Sequence, residues 1–170
     1  MEVIMKKPSI THDELLAIIT YDALTGQFNN KKQRSPRALA GESCGWINAL
    51  GYRAMTINKE YHLAHRLAWF YMTGQWPDVE IDHLNGIRSD NRFGNLRPAT
   101  REINMQNRRK ARSDSASGVI GAHWHRKSGK WASRISVGQK GRYLGLFDSA
   151  QEASAAYIKA KRELHAGCTI

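Results

Sequence analysis

The chain has 170 residues, 41% of them hydrophobic, and 26 Lys and Arg against 15 Asp and Glu give a formal charge of +11. This length allows one ordinary core or two small ones, and no run of about 18 apolar residues predicts a membrane-spanning helix. The N-terminus has no apolar stretch typical of a secretory signal, so we expect a cytoplasmic protein. Cys44 and Cys168 lie far apart and no Cys-x-x-Cys occurs, which argues against a disulfide framework and a structural zinc site.

The positive charge is concentrated in the C-terminal part. Residues 1–100 carry 12 basic and 10 acidic side chains, whereas residues 101–170 carry 14 and 5. Because each cation that neutralises a phosphate releases condensed counterions, the asymmetry favours a nucleic-acid partner. A generally soluble basic protein and a binder of membrane surfaces stay open as alternatives.

In chain order, an N-terminal segment (1–19) precedes a region of short strands and turns (20–64). Within that region GYRAMTINKEYHLA predicts a hairpin turning at Asn58-Lys59. A helix is expected from about His65 to Thr73, ended by Gly74.

The next segment, EIDHLNGIRSDNRFGNLRPATREINMQNRR, places one carboxylate, one imidazole and two amides on a predicted strand, turn and helix. The four candidate site residues are Asp82, His83, Asn95 and Asn104. Thr100 is expected to cap the helix, predicted from about Arg101 to Arg112. A neutral imidazole can act as a general base near neutral pH. A carboxylate with an amide oxygen leaves coordination positions open, as Mg²⁺ sites usually do.

Residues 113–117 are small and polar, which predicts a linker. Beyond it, alternation of apolar and polar residues predicts a three-stranded meander over about 118–147, with one turn at 138–141. A capping box at Ser149 opens a helix that we expect to end at Gly167.

The same alternation separates the two faces of this sheet. The residues predicted to face the helix are Trp131, Ile135, Val137, Leu144 and Leu146. The residues predicted to point outward, where they could contact a DNA groove, are Arg134, Ser136, Tyr143, Trp124 and Arg126. Packing of Trp124 over the sheet edge is the alternative.

Residues 61–107 resemble HNH endonucleases of the phage and intron-encoded homing type, in the helix HRLAWFYMTGQWP and the segment that follows it. The resemblance implies a ββα-metal fold in which Asp82 and Asn104 ligate one divalent cation. It further implies that His83 is the general base and that Asn95 ties down the loop. The family's final His is Asn104 here, which favours Mg²⁺ or Mn²⁺ over zinc. The bacterial host cytosol is the implied location.

Residues 118–167 resemble the ethylene-response-factor (AP-two) type of DNA-binding domain. The matches include Gly129-Lys130-Trp131, Arg142-Tyr143-Leu144-Gly145 and the alanine-rich helix. The resemblance implies a three-stranded sheet that lies in the major groove with a helix behind it. Ile120 and Ala122 stand where plant members carry base-reading arginines, so their sequence preference is not transferred.

Together these patterns predict an α+β protein, with a ββα-metal (His-Me finger) nuclease unit at 20–112 and a three-stranded antiparallel sheet packed on one helix at 118–167. It would be a metal-dependent endonuclease acting on duplex DNA, with a monomer favoured. The candidate DNA-binding residues are Arg101, Arg108, Arg109, Trp124, Arg126, Lys130, Arg134, Arg142 and Tyr143. For the helix arginines a solvated basic face is the alternative, and Arg97 is a candidate phosphate contact.

Two rival functions stay open: a DNA-binding regulator with an inactive nuclease fold, and an RNA-binding or RNA-processing protein. Three other histidines lack ligand spacing and are predicted to be surface residues, namely His12, His62 and His165. On this interpretation, deleting residues 117–170 would spare every proposed catalytic residue.

Overall fold

The computed structural model describes residues 10–36, 38–138 and 140–170. It mixes helices with antiparallel strands, which confirms the predicted mixture of α and β elements. The predicted N-terminal segment lies outside the described residues over positions 1–9, as does position 139 of the turn predicted at 138–141. The chain divides into two compact units, Met1–Pro98 and Ala99–Ile170.

The first unit begins with a helix and two small sheets. Its elements are α1 (His12–Ile18), β1 (Ile19–Asp22), β2 (Gln27–Asn30), β3 (Trp46–Ile47), β4 (Arg53–Ile57) and β5 (Glu60–Leu63). β1 pairs with β2, and the second sheet has the order β3-β4-β5. The hairpin predicted to turn at Asn58-Lys59 is confirmed, because these residues have φ of 49° and 64° between β4 and β5. Two consecutive positive φ angles match the twist of paired strands.

Helix α2 (Ala64–Thr73) follows, within one residue of its predicted bounds, and five of its residues are buried. Gly74 ends it in the left-handed conformation with φ of 72°, and its N–H donates to the Phe70 carbonyl. Leu67 and Phe70 of α2 belong to one buried hydrophobic cluster that also includes Leu15, Ile19, Phe28, Met55 and Ile57. Arg66 donates to the carbonyls of Pro77 and Val79, which fastens α2 to the chain entering the next strand.

Two more strands follow, β6 (Glu80–His83) and β7 (Leu96–Ala99), which pair in a two-stranded sheet. Between them the chain forms a polar loop and a 3₁₀ turn (Phe93–Asn95). The Leu84 N–H donates to the Asn95 carbonyl at 2.9 Å, so this loop closes directly behind β6.

The second unit opens with α3 (Arg101–Gln106), capped by the Thr100 hydroxyl as predicted. The helix ends six residues before the predicted Arg112. The physical reason is that Asn107 is a buried C-cap whose N–H is shared among carbonyls of the last turn. Beyond it, the Arg109 side chain contacts Thr169. The compact units divide after Pro98, and residues 113–117 lie within the second unit.

A three-stranded antiparallel sheet follows, with strands β8 (Ala122–His125), β9 (Lys130–Val137) and β10 (Lys140–Phe147) in the order β10-β9-β8. Helix α4 (Ala150–Leu164) contacts all three strands. Ser149 caps it through a 3.1 Å bond from the Glu152 N–H. The helix ends at Leu164, before the predicted Gly167, and His165 is its C-cap. Among the described residues no helix is long and apolar enough to cross a membrane.

The strand register corrects two of the predicted faces, because directly paired residues share a face. An irregularity between Tyr143 and Gly145 shifts the register, so Leu146 pairs with Ala132 and lies on the outer face of the sheet. Leu146 was expected to face the helix, and it is 39% exposed instead. Trp124 pairs with Trp131, so it lies on the helix side and not beside Arg134.

The outer face thus defined carries Arg134 and Tyr143, which are direct partners and are both exposed. Ile135 and Ser133 lie on the opposite face and are buried, with exposures of 1% and 0%. Val137 was also expected to face the helix but is 39% exposed near the end of β9.

Candidate active site

Asp82 and His83 end strand β6, and both side chains are buried, with exposures of 6% and 4%. The paired strand β7 brings Arg97 alongside Asp82. Arg97 donates to Asp82 Oδ2 from Nε at 3.1 Å and from Nη2 at 2.9 Å. A buried carboxylate needs such compensation, since an isolated buried charge is costly. The residue considered as a phosphate contact therefore pairs with the proposed metal ligand.

The His83 imidazole lies in an aromatic environment. Its ring centroid is 5.0 Å from that of His65, in an edge-on arrangement, and 6.0 Å from that of Tyr52. Burial lowers the pKa of His83 below its ordinary value. A hydrogen bond with Asn91 and the charges of Asp82 and Asp90 act in the opposite direction but do not outweigh burial. Burial also lowers the pKa of His65 to about 3. Both rings are therefore neutral at neutral pH, which leaves His83 able to accept a proton.

Asn95 joins two points of the loop that follows His83. Its Nδ2 donates to the Asp90 carbonyl at 2.8 Å, and its Oδ1 accepts from the Asn85 N–H at 3.0 Å. The side chain is 8% exposed. The amide group is suited to this place because it is a donor and an acceptor at once.

Asp90 organises the same loop through its carboxylate. It accepts from Asn85 Nδ2 at 2.6 Å and from Arg92 Nη2 at 2.5 Å. The Arg92 hydrogen bond lowers the pKa of Asp90 to about 2, with a smaller contribution from Asn85. Asn91, between these residues, is buried, and its carbonyl accepts from the Tyr21 hydroxyl at 2.6 Å. Hydrogen bonds within the loop, and one from Tyr21 on β1, therefore hold the loop in place.

Several residues of this site were not identified from the sequence. Tyr52, His65 and Asn91 surround His83, although only the His65-Arg66 pair gave a signal, as part of the HNH resemblance. Arg88 donates to the Leu50 carbonyl at 2.7 Å and lies over the Tyr52 ring at 5.0 Å. None of these contacts follows from sequence spacing, because they join residues from separate strands and loops.

Three histidines were predicted to be surface residues, and two of these predictions are wrong. His62 is buried and stacks on Trp76, with ring centroids 5.7 Å apart. His165 is buried, and its Nε2 lies 2.7 Å from the Ser136 carbonyl oxygen. His12 is partly exposed, with Nε2 bonded to the Tyr71 carbonyl oxygen at 2.9 Å.

Asp82 and Asn104, the two residues proposed as metal ligands, each carry an oxygen donor. Among the described residues, no group of three or more His, Cys, Asp or Glu side chains could hold a metal ion. Asp82 offers a carboxylate, and Asn104 offers an amide on α3, where it is half-buried. Carboxylate and amide oxygens are donor types that Mg²⁺ accepts, whereas structural zinc usually takes nitrogen and sulfur ligands. Cys44 and Cys168 are both free thiols.

The candidate DNA-binding residues all lie in the second unit but differ in their surroundings. Arg101, Arg108, Arg126 and Arg142 are exposed. Lys130 is also exposed and pairs with Asp148 at 2.9 Å. Tyr143 is 60% exposed beside Arg134. The Arg134 guanidinium covers Gly141, where an added Cβ would lie 2.1 Å from Nη2.

Two candidates contact other side chains or the backbone of the second unit. Arg109 Nη2 donates to the carbonyl and the hydroxyl of Thr169, both at 2.7 Å, so this guanidinium holds the chain end. Trp124 is 51% exposed, and its ring packs edge-on against that of Trp131 with centroids 5.2 Å apart. His123 is exposed and pairs with Ala132 on the outer face.

Residues 62–106 match the family model described as HNH endonuclease. The matched segment runs from β5 to the last residue of α3 and includes Asp82, His83, Asn95 and Asn104. No curated protein and no solved structure matches the chain. The family match supports an HNH nuclease, an enzyme class that hydrolyses DNA and generally uses a divalent metal.

Proposed function

We propose that this protein is a metal-dependent DNA endonuclease of the homing HNH type, directed to duplex DNA by its C-terminal unit. The observation that carries the proposal is the HNH match over residues 62–106, which contains a buried, neutral imidazole directly after a buried carboxylate. A phage-encoded protein that acts as a monomer in a bacterial cytosol is part of the same proposal, inferred from the family resemblance.

In the proposed reaction, His83 accepts a proton from the water that attacks the phosphorus atom. A new bond forms between the water oxygen and phosphorus, and the bond to the departing 3′ oxygen breaks. A base with depressed pKa stays unprotonated at neutral pH and is ready to accept this proton. Contacts of His83 with His65 and Tyr52 limit its rotation, which favours one ring orientation.

Asp82 and Asn104 are the proposed holders of one Mg²⁺ or Mn²⁺ ion. When bound, the ion would stabilise the negative charge of the pentacoordinate phosphate. Arg97 would serve as a positioning residue, because its two hydrogen bonds fix Asp82 Oδ2. Asn95 would keep the segment after His83 in place through the Asn85 and Asp90 backbone.

DNA docking is assigned to the outer face of the C-terminal sheet, as in the ethylene-response-factor type of domain. Arg134 and Tyr143 are adjacent, exposed and on that face, and together they offer a phosphate-binding cation and a planar ring. The excess of basic side chains in residues 101–170 provides attraction independent of DNA sequence. Attaching such a module to a weakly binding nuclease raises the local DNA concentration.

A DNA-binding regulator with an inactive nuclease fold is the second candidate. The observation that favours it is the Arg97 ion pair, since a cation already compensates the Asp82 carboxylate. Incubation of the purified protein with supercoiled plasmid, with Mg²⁺ or with EDTA, separates the two functions. The endonuclease produces nicked or linear DNA only with Mg²⁺, whereas a regulator binds DNA and leaves it intact under both conditions.

A binding competition tests the RNA alternative. Competition between labelled duplex DNA and unlabelled structured RNA should favour DNA if the outer sheet face lies in a major groove, because the major groove of A-form RNA is too narrow to admit it. Stronger competition by RNA would contradict the proposed substrate.

A further inference from the structure

Helix α3 is too short to hold its own conformation. It has six residues, Arg101–Gln106, and isolated helices shorter than about 12 residues are marginal in water. The Thr100 cap bond to the Ile103 N–H is 3.4 Å long, so it contributes little. The conformation of α3 therefore depends on tertiary contacts, and the second unit supplies several of them.

The segment after α4 lies directly against α3. The Gly167 N–H donates to Gln106 Oε1 at 2.9 Å, across 61 positions of sequence. A Cβ added at Gly167 would lie 2.4 Å from the Ile103 carbonyl oxygen and 3.0 Å from the Gln106 Cβ. The contact is thus backbone against backbone, at the residue that precedes Asn104, and it leaves no space for a side chain.

A second set of contacts fixes the chain just beyond α3. Thr169 accepts from Arg109 at its carbonyl and its hydroxyl, and its hydroxyl donates to the Asn107 side chain. Asn107, the C-cap of α3, is 4% exposed. Lys161 on α4 is 1% exposed, and its ammonium donates to the Arg108 carbonyl. Residues 107–109 therefore each contact a residue from the last ten positions.

We propose that Gly167 and Thr169, with Arg109, position α3 and through it the Asn104 side chain, so that metal affinity depends on this C-terminal clasp (residues 167–169). The inference rests on the proposed function, because it takes Asn104 as a metal ligand. It also changes an expectation from the sequence: residues 117–170 are not a removable DNA-docking module, since their deletion removes the partners of Gln106, Asn107 and Arg109.

The test uses the full-length protein with Gly167→Ala, which forces the clasp away from α3. Hydrogen exchange of amides 101–106 should become faster, while amides of the first unit keep their rates. Mn²⁺ affinity, measured by titration calorimetry without DNA, should fall by about 10-fold or more, the scale seen when a residue supporting a metal ligand is lost. The Mg²⁺ concentration for half-maximal cleavage should rise by a similar factor, and excess Mg²⁺ should restore part of the rate.

Three further variants separate positioning from general stability. Gly129→Ala is strained, with φ of 61°, but lies in open space in the turn between β8 and β9. It should lower the stability of the same unit and leave Mn²⁺ affinity unchanged. Thr169→Val removes the hydroxyl bonds and should weaken Mn²⁺ binding, whereas Thr169→Ser keeps them and should restore it.

Unchanged exchange of α3 amides, or unchanged Mn²⁺ affinity in a folded Gly167→Ala protein, would overturn the inference. An equal loss of Mn²⁺ affinity in Gly129→Ala would overturn it too, because the effect would then be one of stability. If the wild-type protein cuts no DNA with any metal, the proposed function fails, but the Mn²⁺ and exchange measurements still decide whether the clasp positions Asn104.

Discussion

Replacing Asn95 with Ala should destabilise the first unit by about 2 kcal/mol. The side chain makes one hydrogen bond to the Asp90 carbonyl and one from the Asn85 N–H, at 2.8 and 3.0 Å, and is 8% exposed. A hydrogen bond contributes about 1 kcal/mol net, and a partner left unsatisfied in a buried place adds to the cost. For a unit of this size, about 2 kcal/mol corresponds to a fall in Tm of roughly 8–16 °C.

Urea and thermal unfolding measure this change, and hydrogen exchange of the Asn85 amide reports it locally. A matched control is Gln33→Ala, which removes an exposed amide whose single bond to Ser35 is 3.4 Å long. The control should change stability by less than about 0.5 kcal/mol. If Asn95→Ala is no more destabilising than Gln33→Ala, the loop is not held by Asn95, and the positioning role assigned to it is wrong.

Three further predictions concern charge. The pKa of Asp90 is lowered to about 2 in the folded protein, so its stabilisation is present above its ordinary value of 3.8 and is lost as pH falls towards 2; Asp90→Asn should flatten the acid unfolding curve in that window, and an unchanged curve would refute the assignment. Arg97→Gln removes the cation paired with Asp82 and should lower the free energy of unfolding in urea by at least about 1 kcal/mol. Adding Asp82→Asn should recover part of this loss, and no recovery would argue against the pair. Arg134→Ala should weaken DNA binding and reduce the slope of log K against log salt by about 1, whereas Lys159→Ala, on the helix behind the sheet, should leave the slope unchanged; equal effects would contradict docking by the outer face.

Local signals in the sequence predicted most of the secondary structure. The glycine after α2, the turn at Asn58-Lys59 and the Thr100 cap act through the backbone of their neighbours, so short-range reasoning finds them. The length of α3 was overestimated because its end depends on Asn107 and Thr169, which are 62 positions apart. Such a contact leaves no pattern in a local window.

The surroundings of the candidate site were harder to predict than the secondary structure, because they depend on tertiary contacts. The Asp82-His83 pair could be selected because Asn95 and Asn104 follow it at the spacing that carries the HNH resemblance. Arg97 and His65 reach that pair only through strand pairing and helix packing. In the C-terminal sheet, one irregularity after Tyr143 reversed the expected face of Leu146, since side chains alternate with a period of two.

The most direct test of the central claim compares plasmid cleavage and DNA affinity in the wild type and in His83→Ala. With Mg²⁺ present, we expect His83→Ala to lose at least about 10²-fold in cleavage rate, the usual scale for removing a general base, while its DNA affinity stays that of the wild type. Wild-type cleavage should disappear in EDTA. Cleavage by His83→Ala at the wild-type rate, or wild-type cleavage that persists in EDTA, would contradict the proposed active site.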